Sequence, residues 1–408
     1  MPRRRLFAFL VPTAIAMAGL TTTTMIPVDD EAIRYTKGPT DDPVARLQAR
    51  IDRGEARLKY EYEFGYLRSV LRELGVSTTS QVLVFSKTSF QAPRIAPRTP
   101  RALYFNDSVT VGFVRTGDVL EFAAVDPRQG VMFYTLDQER AAHPRFARQD
   151  VCLQCHQSSA TLGVPGLVVR SVTPDRTGMP VMDEPSSITD HLSPLKQRWG
   201  GWYVTGDSGD QTHMGNAIQR NPRDDDAHAP VGQGIANVTD LSPFFDTGAY
   251  PAAHSDIVAL MTLEHQTQMV NLMTRVGWEA RIGMAEIGVE RLVEYMLFSG
   301  EAKLTEAIRG GSGFTDEFQK AGPRDALGRS LRDFDLKTRM FRYPCSYMIY
   351  SAEFDALPAA VRGQVYRRLD EVLTGRDRSP RFAHLSAENR EAIQEILVST
   401  KKDYKALR

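Results

Sequence analysis

Apolar and polar positions change period along the chain, and the changes mark out its elements. Val44, Leu47, Ile51 and Leu58, then Tyr62, Tyr66, Leu67, Val70 and Leu71, recur at the intervals of one buried helix face. Gly54 interrupts the run, which predicts two helices or one kinked helix ending near Gly75. Over 81–136 the period shortens. β-prone runs at 82–85, 102–105, 109–114, 119–124 and 131–134 are punctuated by Asn106-Asp107, Thr116-Gly117-Asp118 and the turn from Asp126 to Gly130. That pattern predicts an antiparallel meander. Further strands are expected at 167–172 and 202–204. From Ser255, a predicted helix cap, the chain turns helical, with Ile257, Val258, Met261, His265, Met269 and Met273 on one face. Later helices are expected at 286–297, 359–373 and 387–400, the last capped by Ser386. The expected fold class is α+β: an antiparallel strand-rich N-terminal half followed by a mainly helical C-terminal half. Residues 25–42, polar and irregular, read as a tether; 43–250 and 251–408 read as the strand-rich and helical regions.

At 408 residues the chain can bury a sizeable core. Fifty basic residues balance fifty acidic ones, so nothing predicts an electrostatic grip on nucleic acid or an anionic membrane. The N-terminus runs from Arg3-Arg4-Arg5 into an apolar stretch from Leu6 to Leu20, with Ala14, Ala16 and Ala18 as small cleavage-site residues. This predicts a secretory signal over 1–24, and hence a periplasmic or otherwise exported protein. The alternative is an uncleaved N-terminal anchor. Pro12, and a length short of the roughly 20 residues of a membrane span, speak for the signal. Asp224-Asp225-Asp226 lacks an EF-hand pattern and reads as a solvated loop.

Three cysteines occur, and two of them form Cys152-Leu153-Gln154-Cys155-His156. C-x-x-C-H is the attachment sequence for a c-type haem. Two thiols three positions apart on a helical turn can each add to one vinyl group of the haem edge, and the imidazole that follows points at the iron as an axial ligand. Other uses of the pair are a redox dithiol, which normally accompanies a βαβ pattern, and a structural disulfide, which would close a very short loop. Zinc would need a second ligand pair, and only Cys345 is left. Cys345 lies among aromatic and apolar residues, where a buried, inert thiol is expected.

The sixth ligand of such an iron stays open between several residues. Met214, in a loop downstream, is the first choice; His213, Met179, Met182 and His191 are the others. His265 and Met269, one turn apart on an apolar face, read as core. No Ser-His-Asp pattern, phosphate loop or dinucleotide fingerprint is present.

The C-L-Q-C-H segment behind an export signal resembles the haem-binding part of c-type cytochromes. The stretches Arg198-Trp199-Gly200-Gly201-Trp202-Tyr203-Val204 and Tyr343-Pro344-Cys345-Ser346-Tyr347-Met348 look similar to larger exported bacterial single-haem proteins of unassigned role. The resemblance implies one covalent haem c held by Cys152, Cys155 and His156, electron transfer, and an unidentified redox partner protein. A haem enzyme or sensor with an open sixth position, using His213, His191 or Arg198 on a small ligand such as peroxide, is the second expectation.

Overall fold

A computed structural model describes residues 24–218, 234–284 and 286–406. The N-terminal basic and apolar run up to residue 23 and Asp224-Asp225-Asp226 lie outside these residues. Among them, no helix is long and apolar enough to cross a membrane.

The strand-rich half is a meander, as the turn residues predict. Strands β1 (Val82–Val84), β2 (Arg101–Phe105), β3 (Val109–Val114), β4 (Val119–Asp126), β5 (Gly130–Asp137) and β6 (Phe146–Arg148) pair antiparallel in sequence order. A hairpin of β7 (Val169–Ser171) and β8 (Ser187–Thr189) stands apart, and β9 (Trp202–Tyr203) joins the sheet beside β1. The sheet is covered on both faces, which is why its strands read as apolar runs with little alternation. Val82, Val84, Leu103, Ala123, Val131 and Phe133 face one core cluster, shared with the C-terminal helices. Leu83, Ala102, Tyr104, Phe122, Met132 and Tyr134 face the other, shared with the N-terminal segment.

The N-terminal cover consists of α1 (Pro43–Asp52) and α2 (Leu67–Glu73), the two helices that Gly54 and Gly75 delimit; both glycines sit at positive φ. Asp42 caps α1, its Oδ1 accepting from the amides of Val44 and Ala45, while its Oδ2 takes the Tyr134 hydroxyl of β5 at 2.6 Å. One carboxylate thus starts the helix and docks it on the sheet. Tyr62, counted in the apolar stripe, is 98% exposed, because the chain between the helices is a series of turns. The expected tether also differs. Ile26, Ile33 and Tyr35 are buried, and the Tyr35 hydroxyl donates to the Val131 carbonyl at 2.7 Å. Three anchors at irregular spacing have no period, so the sequence pattern did not reveal them.

The opposite cover is organised by a 25-residue helix. After the single turn α3 (Leu153–His156), α4 (Ile257–Arg281) extends about 37 Å. It is buried on nearly every side, polar residues included. Around it lie α5 (Val289–Met296), α6 (Phe314–Lys320), α7 (Ala352–Asp355), α8 (Ala359–Leu373), α9 (Ala387–Thr400) and α10 (Lys402–Lys405). α8 and α9 span the expected ranges, and Ser386 caps α9 through the Asn389 amide.

Ser255 is not the cap of α4. Its hydroxyl donates to the Tyr203 carbonyl at 2.6 Å and accepts the Leu83 amide at 2.8 Å, tying β9 and β1 together. Asp256 caps instead, with Oδ1 on the amides of Val258 and Ala259 and Oδ2 on those of Gly311 and Ser312. Asp256→Ala leaves four amides without their acceptor and is expected to cost about 1–3 kcal/mol in urea unfolding. Asp256→Asn, which keeps one acceptor oxygen, should fall between. A loss within error for Asp256→Ala would show that the cap is replaced by solvent.

Candidate functional site

The C-x-x-C-H turn is hung from the end of the sheet. After β6 the Gln149 amide donates to the Phe133 carbonyl at 2.9 Å, and its side chain donates to the Thr135 hydroxyl at 2.8 Å. The Gln149 carbonyl accepts the Cys152 amide, which starts a 3-10 turn over Asp150–Cys152 that runs on into α3. Both cysteines are free thiols, Cys152 half-buried and Cys155 exposed. Burial, then the charges of Glu121 and Cys155, push the Cys152 thiol up. Cys345 is buried and pushed up to about 12 by burial, as an inert thiol should be.

His156 is held on two sides. Its ring lies 4.8 Å from that of Phe133, and its Nδ1 is 3.0 Å from the Gly166 carbonyl. A carbonyl only accepts, so Nδ1 carries the proton and Nε2 keeps its lone pair. No described residue hydrogen-bonds Nε2. Burial lowers the His156 pKa, which favours the neutral ring. The backbone closes the bracket, with the Gly166 amide donating to the His156 carbonyl at 2.9 Å. Asn271 of α4 then grips Leu167, accepting its amide and donating to its carbonyl. Gly166 has to be glycine for this, because a Cβ there would stand 2.1 Å from Asn271 Oδ1.

These features match what covalent haem attachment asks of a protein. Two free thiols share one turn with an imidazole whose Nδ1 is fixed by a carbonyl, the usual support of a histidine that ligates a metal through its other nitrogen. Cys152, Cys155 and His156 are the residues that could hold the group. Among the described residues, no cluster of three or more His, Cys, Asp or Glu is arranged around a metal position.

The sixth-ligand candidates are scattered. Met214 is partly buried, and its sulfur accepts the Ser171 hydroxyl at 3.6 Å; no hydrogen bond or ring contact joins it to the C-x-x-C-H turn. His213 is buried, and its Nδ1 accepts the Gly215 amide at 3.0 Å. That places the proton on Nε2, the opposite tautomer from His156, so neither nitrogen offers iron a lone pair while the bond stands. Met179 and Met182 are exposed beside Pro180. Met269 is core.

His191 and His265 form a second centre with Glu264, all outside the motif. Their Nδ1 atoms are 2.8 Å apart, and His265 Nε2 is 2.8 Å from the Ser346 hydroxyl. Both rings are buried, and burial pushes His265 down to about 3, so both are neutral and share one hydrogen bond. Stacked on His191 are Tyr295 and Phe298. Next to His265 in the chain, Glu264 accepts from Thr189 Oγ1 at 2.6 Å and from Arg198 Nη1 at 3.0 Å. Arg198 also donates to the carbonyls of Ser193 and His191, which buries it away from any distal pocket. Sequence pattern placed none of these groups together. Its one signal was Glu264-His265 inside an apolar run, which demands buried partners but does not name them.

What fold and site define is an α+β protein with a C-x-x-C-H turn hung at the edge of an antiparallel sheet. Searches against known protein families, curated proteins and solved structures gave no significant match.

Proposed function

We propose that the chain is an exported c-type cytochrome that carries one covalent haem and transfers electrons to a partner protein. The observation that carries the proposal is the His156 arrangement: Nδ1 donating to the Gly166 carbonyl at 3.0 Å, Nε2 bare, and two free thiols in the same turn. The haem would supply an iron that cycles between two oxidation states. Cys152 and Cys155 would hold it through thioether bonds, and His156 Nε2 would be the proximal ligand. The Gly166 carbonyl sets the tautomer and raises the basicity of that ligand. Phe133 and the backbone bracket keep the ring from turning. Met214 is the proposed sixth ligand, on condition that its sulfur gives up the Ser171 hydroxyl.

A haem enzyme or sensor with an open sixth position is the second reading. The tautomer of His213 and the mutual pairing of His191 and His265 favour an open position, since they engage the buried histidine candidates elsewhere, but the same bonds, with those of Arg198, take all three expected distal groups away from a bound ligand.

The test is an absorption spectrum of the full chain matured with a c-type haem assembly system, taken before and after acid-acetone extraction. Haem that survives extraction in the wild type, and is lost in a Cys152→Ala/Cys155→Ala variant, is the expected result. Extractable haem, or none, overturns the proposal. A low-spin spectrum with a weak far-red band fits Met/His ligation, whereas a high-spin spectrum that shifts with cyanide fits the open site.

A further inference from the structure

Beside the C-x-x-C-H turn the sheet face changes from apolar to polar. Arg101 opens β2, and Glu121 of β4 lies opposite Thr135 of β5 and Gly112 of β3. Gly112 has no side chain, and that of Arg101 uses the space: a Cβ on Gly112 would meet Arg101 Nε and Nη2 at 3.0 Å. Arg101 Nη2 thereby reaches Glu121 Oε2 at 2.7 Å, with both side chains mostly buried.

The two members of the pair are served unequally. Glu121 also accepts from the Ser89 hydroxyl at 3.1 Å and from Gln91 Nε2 at 2.9 Å. Arg101 Nε is buried and has no acceptor. A guanidinium presents its donors as a planar fork, so an Nε–H left without an acceptor marks one unmet side of the fork. Leaving a buried donor unmet is costly, and a ligand that brings an acceptor relieves it.

The position of the pair says which ligand is near. Thr135, facing Glu121 across the strands, accepts from the Gln149 side chain, and the Gln149 carbonyl accepts the Cys152 amide. Phe133, two residues along on the same face, carries the His156 ring. A haem fastened at this turn brings two carboxylates, the acceptors that guanidinium forks match best.

We infer that Arg101 binds a carboxylate of the attached haem, and that Glu121, fixed by Ser89 and Gln91, holds the guanidinium in place. Arg101 is then a haem-binding residue and Glu121 a positioning residue. The inference rests on the haem reading above and names how the same site recognises the group.

The experiment uses the full chain with covalent haem and reads the haem carboxylates directly. The propionate-bending band in the resonance Raman spectrum is expected to shift in Arg101→Ala and to return part of the way in Arg101→Lys, which restores the charge without the fork. The midpoint potential is expected to fall in Arg101→Ala, which removes a cation, and to rise in Glu121→Gln, which removes the opposing anion. A merely structural role would move neither the band nor the potential in opposite directions. If Arg101→Ala does not fold, Arg101→Lys and Glu121→Gln still carry the test. An unchanged band in variants with intact covalent haem overturns the inference, and a water serving Nε is then the explanation. Wild-type protein without covalent haem, seen before any variant is made, overturns the attachment reading and this inference with it.

Discussion

Arg198→Met is expected to destabilise the protein by about 3–5 kcal/mol, and to do so more at about pH 8 than at about pH 5. Arg198 and Glu264 are 3% and 0% exposed as side chains and lie 3.0 Å apart. Without the guanidinium, Glu264 keeps only the Thr189 hydroxyl as donor. The pH dependence follows from its ionisation. Burial raises the Glu264 carboxyl from its ordinary value of 4.5 to about 7, even though Arg198 pulls it down. The native state therefore holds a proton that the unfolded chain releases between these values, and stability contributed at low pH is lost as pH rises through that window. Removing Arg198 raises the native value further and extends the loss upward. Near pH 5 the carboxyl is mostly protonated in the native state and needs no cation. What remains there is the loss of the bonds from Arg198 to the Ser193 and His191 carbonyls. Urea unfolding at the two pH values checks this. Equal losses at both would mean that the charge of Glu264 plays no part.

Gly166→Ala is the second large effect, expected at about 2–4 kcal/mol. The added Cβ would stand 2.1 Å from Asn271 Oδ1 and 3.1 Å from Thr161 Cβ. Asn271 would have to leave Leu167, whose amide and carbonyl it serves at 3.1 and 2.7 Å. The Gly166 carbonyl that fixes His156 Nδ1 would shift as well. Unfolding of the haem-free protein measures the stability loss. The clash predicts that adding Asn271→Ala costs less in the Gly166→Ala background than in the wild type, because the displaced side chain is already out of place. Additive losses in that cycle would place the damage elsewhere. If the proposed haem attachment holds, the same substitution in haem-loaded protein should reduce the low-spin fraction, since the His156 ring loses its fixed partner.

The two predictions fall on groups of very different legibility. The C-x-x-C-H turn is contiguous, so its three side chains and their spacing could be read directly as one chemical unit. The strands from β1 to β5 were legible because Asn106-Asp107, Thr116-Gly117-Asp118 and the turn before Gly130 punctuate them, and α8 and α9 because their apolar period is unbroken. The burial of Ile26, Ile33 and Tyr35 within the expected tether was not, because the three follow no repeat. Ser255 was the expected cap, and that Asp256 serves instead depends on strand β9 lying within reach of Ser255. The tautomers that separate His156 from His213 depend on a carbonyl ten residues away in one case and an amide two residues away in the other.

By itself the sequence determined the local facts: the α+β order of elements, the meander, the limits of α8 and α9 and the C-x-x-C-H turn, all set by interactions within a few residues. Only the tertiary structure decided which distant groups meet. Glu264 and Arg198 are separated by 66 positions, His191 and His265 by 74, and Asn271 lies 104 positions from the Leu167 backbone it serves. Arg101 and Glu121 sit on strands with β3 between them, so their pairing exists only in the folded sheet. A buried charge or donor demands a partner, but that demand carries no information about where along the chain the partner stands. Packing of α4 and the sheet supplies it.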